Sequence, residues 1–322
     1  MNASSNISAS AGDTPPADSG NRARPRRGGW KTVAGIGVIL AIGFGLGRWT
    51  APGVLPPAPA PTPIGDKTPV AGRPAEGVPV PQEATLEDVL QLAREGLTEL
   101  QKNINDYTAH VIKQERIGGI LRPPEEMDLK LQTEQTENGK VIRPMRVYLR
   151  FTSPVSMAGQ EVIWDPQAND NKLVAHGAGL LNVMRVSLKP DSFLAMTGNR
   201  YPITQIGLTN LVRKLIERGE LDQQTAAATV SITEGHLEGD RECKLIRVVH
   251  TEPTGRPDDF SLAEIAIDSQ RQIPLRYTAF GWPEEGSSAP PLLESYTYLD
   301  VELNVGLTDA DFDPDNPDYD FP

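Results

Sequence analysis

One cysteine, four histidines and an aromatic content of 6% are the scarcest features of this 322-residue chain. The single cysteine, Cys243, excludes an internal disulfide, and its place in an expected strand marks it as a small buried hydrophobe. No cysteine stands near the N-terminus, so a bacterial lipoprotein anchor is not expected. His110, His176, His236 and His250 lack the pairing or spacing of a zinc site or a metalloprotease helix, so no metal is expected. Isolated at strand ends, they should face solvent. The chain has no G-x-S-x-G nucleophile elbow, no P-loop and no Gly-rich dinucleotide turn, and hence no expected cofactor. Glu125 and Glu126 form a close carboxylate pair, but in so acidic a chain they read as a solvated turn rather than a glycosidase dyad. No catalytic residue is assigned, and the expectation is a protein that is not an enzyme.

Long apolar runs are scarce as well. The exception is WKTVAGIGVILAIGFGLGRW, Trp30 to Trp49, uncharged from Thr32 to Gly47. At ~1.5 Å per residue a helix of this stretch spans roughly 30 Å, one bilayer core. A Trp beside a Lys or Arg at each end matches interfacial aromatic belts. Residues 30–49 are therefore expected to be a transmembrane signal-anchor helix, with a buried core helix or a cleaved signal peptide as alternatives. Pro61, after the candidate site Ala58, Pro59, Ala60, argues against cleavage. Arg22, Arg24, Arg26, Arg27 and Lys31 precede the span, and the positive-inside bias keeps residues 1–29, a disordered arm, in the cytoplasm. The expected address is the inner membrane, crossed once, with the main domain in the periplasm.

Beyond the span, basic charge is in deficit. Of 31 Lys and Arg and 43 Asp and Glu, six and two lie within residues 1–49, leaving 25 against 41, a net −16. Nucleic-acid phosphates require a basic face, so no nucleic-acid partner is expected. Proline is abundant, and ten prolines between Ala51 and Glu83 make residues 50–83 a linker, either an extended polyproline spacer or an ordinary disordered one.

From residue 84 the patterning changes. Thr85 and Asp88 form a variant capping box, and Leu86, Val89, Leu90, Ala93, Leu97, Leu100 and Ile104 keep helical spacing. A second amphipathic helix follows from Leu208, Leu211, Val212, Leu215 and Ile216, with Gly219 as its expected C-terminal cap. Most of the remainder alternates with period two. Tyr107 to Arg116 and Met127 to Gln132 read as strands, and Asn138 with Gly139 signals a hairpin. Arg146 to Phe151, Glu161 to Trp164 and Leu173 to His176 then form an antiparallel meander, reversed at Asp165, Pro166 and the following Asx residues. Five further strands are expected between Thr229 and Asn304. The chain closes in an acidic segment, 309–322, expected to be a solvated tail with Phe312 tucked onto the domain. Its Asp309, Asp311 and Asp313 have calcium-loop spacing, but Pro314 stands where that loop needs glycine.

The leading helix, the strand YTAHVIKQER, the runs RPMRVYLRFTSP and GQEVIWDPQANDNKLVAHGAG, and GNRYPITQIGLTNLVRKLIER resemble an uncharacterised bacterial family of unknown function. More loosely, through strand order and the turn at Asp165 and Pro166, they resemble the LolA/LolB lipoprotein-carrier superfamily. The resemblance implies an α+β, mainly antiparallel fold over residues 84–308: a curved, unclosed β-barrel whose concave apolar face is covered by helices and holds acyl chains. The insertion from Gly177 to Tyr201 departs from the carriers. Independently, two amphipathic helices must cover one apolar sheet face, and loose packing would leave a lipid-sized cavity. Met127, Leu129, Leu131, Val147, Leu149, Phe151, Val162 and Trp164 are then expected to line it. Two functions stay open: a membrane-tethered binder of lipid or lipidated protein, or an envelope sensor or interaction module with a filled core.

Overall fold

Alternating apolar and polar residues give each strand one face to bury, and their backbone groups must be satisfied by neighbouring strands. The computed structural model describes residues 79–322 except 180, 181, 226, 257, 285 and 288. The expected arm, the expected membrane helix and the linker up to residue 78 lie outside the described residues. No helix among the described residues is long and apolar enough to cross a membrane.

The order of elements is β1 (Gln82–Ala84), α1 (Leu86–Asn103), β2 (Asp106–Ile117), β3 (Ile120–Leu121), β4 (Glu125–Gln132), β5 (Gln135–Glu137), β6 (Lys140–Arg143) and β7 (Arg146–Ser153). Then come β8 (Glu161–Trp164), β9 (Leu173–Ala175), β10 (Val186–Leu188), α2 (Phe193–Met196) and α3 (Leu208–Thr225). β11 (Ala228–Glu238), β12 (Arg241–His250), β13 (Leu262–Asp268), β14 (Pro274–Phe280) and β15 (Leu292–Leu303) complete the strands. Among the described residues one antiparallel sheet runs β1-β11-β12-β13-β14-β15-β2-β4-β7-β8-β9-β10, with β3 paired to β2. Its end strands do not pair with each other, so the coil that strand twist imposes leaves the barrel open. This is the unclosed, helix-covered sheet that the resemblance implies. β1 pairs with β11, so the folded part begins inside the segment expected to be linker.

Local chemistry sets the boundaries. The Thr85 hydroxyl accepts from Asp88 N at 3.1 Å and the Asp88 carboxylate accepts from Thr85 N at 2.9 Å, the reciprocal capping box that starts α1. Asn138 and Gly139, both at positive φ (50° and 75°), turn β5 into β6. Gly207, at φ 101°, admits the start of α3: a Cβ there would lie 2.6 Å from Leu131 Cδ1. Leu208 N donates to Tyr107 Oη at 2.9 Å, which fixes that end of the helix.

Several expectations need correction. Gly219 does not end the second helix but lies inside it, where a Cβ would come within 2.7 Å of Leu90 Cδ2; the missing side chain is what lets α1 and α3 touch. Glu125 and Glu126 belong to β4 rather than a turn, and Glu125 pairs with Lys113 at 2.9 Å. The segment 309–322 is not a solvated tail. Phe312 and Phe321 are buried against Tyr148 and Ile163 on the outer sheet face, while Asp309 and Asp311 pair with Arg146 and Lys130 at 2.7 and 2.8 Å.

Inner and outer faces follow the alternation. Val147, Leu149 and Phe151 point inward to a core shared with Leu90, Leu100, Val212 and Ile216, whereas Tyr148 points outward. A second cluster joins Val230, Ile246, Val248 and Ile265 to the stripe Leu86, Val89 and Leu92 of α1. Cys243 is fully buried in the first cluster. Two histidines at strand ends are also buried, against the expectation that they face solvent. His176 meets Glu161 at 2.9 Å and His250 meets Asp222 at 3.3 Å, since a carboxylate partner offsets the cost of removing an imidazole from water.

Candidate functional site

At one end of the sheet the start of α3 rests on Leu131 and Tyr107, and the inner face there is filled. Beyond that contact a cavity lies between the helix and the sheet. Val111, Met127, Leu149, Phe151 and Val162 form the floor of the cavity, and Leu211 and Leu215 of α3 form its roof. The segment between β9 and α3 closes the side through Leu188, Ala195, Ile203 and Ile206. The volume is about 410 Å³, inside the range of small-molecule sites. A smaller void of about 250 Å³ lies beneath α1, against Val248, Phe260 and Ile265.

Half of the expected lining residues meet in this cavity. Met127, Leu149, Phe151 and Val162 line it. Leu129, Leu131, Val147 and Trp164 do not: they are buried in the packed core. Leu131 and Val147 are cross-strand partners at the filled end, so their exclusion follows from where α3 begins. The segment Gly177 to Tyr201, expected to depart from the carriers, supplies much of the side wall.

Sequence reasoning missed the polar wall. Glu115 and Glu294 are cross-strand partners on β2 and β15, both almost fully buried at the cavity. Like charges in that register repel, so compensation is required. The Tyr296 hydroxyl supplies it, 2.5 Å from Glu115 Oε1 and 3.3 Å from Glu294 Oε2. Arg200 adds its Nε to Glu294 at 3.1 Å and its backbone N–H to Glu115 at 2.9 Å. Burial, followed by the neighbouring Glu115 charge and opposed by Arg200, pushes the Glu294 carboxyl above its usual range. Burial and the Glu294 charge push the Tyr201 phenol up to about 12 and that of Tyr296 higher, which keeps both hydroxyls as donors. The signal was present in the inward positions of β2, where Tyr107, Ala109 and Val111 give way to Lys113 and Glu115.

Chemically the cavity is an apolar chamber with one charged and phenolic wall. It can enclose an apolar chain and orient a polar group.

Three comparisons bear on kinship. A family model described as "Protein of unknown function (DUF1571)" matches residues 104–321. Nothing among the curated proteins matches the chain. Among solved structures, the chain is similar to a DUF1329 family protein from Desulfovibrio piger (10% identity, TM-score 0.32, covering 71% of this chain and 97% of that one). It is also similar to a putative outer membrane lipoprotein-sorting protein domain from Vibrio parahaemolyticus (10% identity, TM-score 0.30, 71% and 97%). A third is a LolA superfamily protein from Nitrosomonas europaea (10% identity, TM-score 0.28, 71% and 98%).

Proposed function

The chain belongs to the DUF1571 family, and from that premise we propose that its domain is a binding protein holding a lipid, or the acyl chain of a lipidated protein, in the cavity between the sheet and α3. The carrying observation is the cavity itself: about 410 Å³ of space floored by Met127, Leu149, Phe151 and Val162 and roofed by Leu211 and Leu215. A core meant only for stability fills such space, because each missing contact lowers stability. Val155 and Phe193, 93% and 86% exposed, stand one and two residues in sequence from the lining residues Pro154 and Ala195 and offer an apolar approach. In this reading no covalent chemistry is performed. The Trp30 to Trp49 stretch tethers the domain to the inner membrane on its periplasmic side, so cargo is received or presented at a fixed distance from the bilayer.

The test is to purify residues 79–322 from the native host, extract the bound material and identify it by mass spectrometry. Acyl-chain compounds in stoichiometric amount are expected. Their absence, together with failure to bind an environment-sensitive lipophilic dye, would favour a sensor or protein-interaction module instead.

A further inference from the structure

The other cationic side chains that line the cavity are already engaged. Lys113 pairs with Glu125 at 2.9 Å, Arg218 pairs with Asp258 at 2.5 Å, and Arg122 also has a partner; Arg200, between the lining residues Asn199 and Tyr201, pairs with Glu294 at 3.1 Å. Lys214 differs. It lines the cavity from α3, half-buried, with its ammonium 4.1 Å from the centroid of the Tyr201 ring and no carboxylate within ion-pairing distance among the described residues. Glu217, three residues on, lines the same cavity without pairing to it. The Tyr201 ring is itself held, because its hydroxyl accepts from Arg200 Nε at 3.2 Å and approaches Glu294 at 3.4 Å. A cation held over an aromatic face is positioned before any ligand arrives, so less is lost in ordering it. Its own charge is left for an anion.

We propose that the cavity is selective for an anionic amphiphile, with the carboxylate or phosphate of the ligand paired to Lys214 Nζ and its alkyl chain laid over Met127, Leu149 and Phe151. This deepens the lipid-binding reading and rests on it. Glu115 and Glu294, already supplied with donors, disfavour an anion beside them, and Lys214 is left as the place for the head group. A neutral long-chain alcohol would gain the same apolar contacts and forgo the charge-assisted pair, which is worth roughly tenfold or more in affinity.

The experiment uses the full-length chain in native-host lysate, photolabelled with a diazirine-bearing palmitate and competed with dodecanoate, dodecyl phosphate or dodecanol. Labelling is read on peptides of the cavity. Dodecanoate or dodecyl phosphate should compete at least tenfold better than dodecanol, and which of the two competes better identifies carboxylate or phosphate as the source of the charge. Lys214→Met, which keeps an unbranched chain over Tyr201, should abolish the preference without weakening dodecanol, and Lys214→Arg should restore it. Equal competition by acid and alcohol in the wild type, or a preference that survives Lys214→Met, overturns the selectivity while leaving lipid binding in place. Absence of specific labelling by the probe overturns both readings together.

Discussion

His176 Nε2 lies 2.9 Å from Glu161 Oε2, and both side chains are sealed from solvent. The same carboxylate accepts from the Tyr148 hydroxyl at 2.6 Å and from the backbone N–H of Asp320 at 2.7 Å. The imidazole turns its other nitrogen to the Gly177 carbonyl at 2.8 Å and packs T-shaped with the Phe321 ring, centroids 4.6 Å apart. One buried carboxylate on β8 thus ties together β7, the end of β9 and the last residues of the chain.

Burial pushes the Glu161 carboxyl up, but the hydrogen bonds from His176, Tyr148 and Asp320 N–H outweigh it and hold it below the usual range. A carboxyl depressed in the folded state contributes stability that is present above its unfolded value, about 4.3, and lost as pH falls through the folded value. Wild-type protein should therefore lose resistance to urea below about pH 4. Glu161→Gln should be less stable near neutrality by roughly 3 kcal/mol, with a shallower loss in acid. Urea midpoints measured from pH 7 to pH 3 decide it: coincident curves for the two proteins would mean that the carboxylate contributes nothing.

The C-terminal segment should behave as part of the core. Phe321→Ala removes a ring packed on His176 and is expected to cost about 3 kcal/mol, with a comparable loss for Phe312→Ala. Chemical denaturation of residues 79–322 provides the measurement. A variant ending at residue 308 that unfolds at the wild-type midpoint would show the segment to be an ornament.

Five Asp from Asp309 to Asp318 dominate the pattern, and a charge-rich end ordinarily stays in water. The complementary information is far away in sequence: Lys130, Arg146 and Arg185 face outward, and Tyr148 is an aromatic residue at a position the alternation assigns to solvent. Local elements were legible because their causes are local. The Thr85 capping box, the Asn138–Gly139 hairpin and the β7–β8–β9 meander all stand as expected. The cavity was legible by half, since period two says which side chains face inward but not where a helix will cover them. Glu115 and Glu294 lie 179 positions apart and become partners only when β15 joins β2.

Gly219 offers a test in which two effects oppose each other. In an isolated helix Gly→Ala stabilises by about 1 kcal/mol. Here the added methyl would stand 2.7 Å from Leu90 Cδ2, and Leu90 is itself buried among core side chains, so overpacking should win by roughly 1–3 kcal/mol. A lower thermal midpoint for Gly219→Ala is expected. A raised one would show that Leu90 finds another rotamer and that α1 and α3 have room to spare.

The cavity and the core can be told apart by placing the same charge in each. Leu149 and Leu129 are cross-strand partners on β7 and β4, yet only Leu149 lines the cavity. In Leu149→Arg the long stem can lie along the wall while the guanidinium reaches the open space or the Glu115 and Glu294 carboxylates, so the domain should fold and lose its lipophilic probe. In Leu129→Arg the charge has no such exit. An unpaired buried charge costs several kcal/mol, comparable to the whole stability of an ordinary domain, so this variant should be unfolded at room temperature. Circular dichroism and dye binding on both variants give the answer. If both unfold, the space beneath α3 does not accept a side chain, and a filled core becomes the better description; if Leu149→Arg folds and still binds the dye, the ligand lies elsewhere.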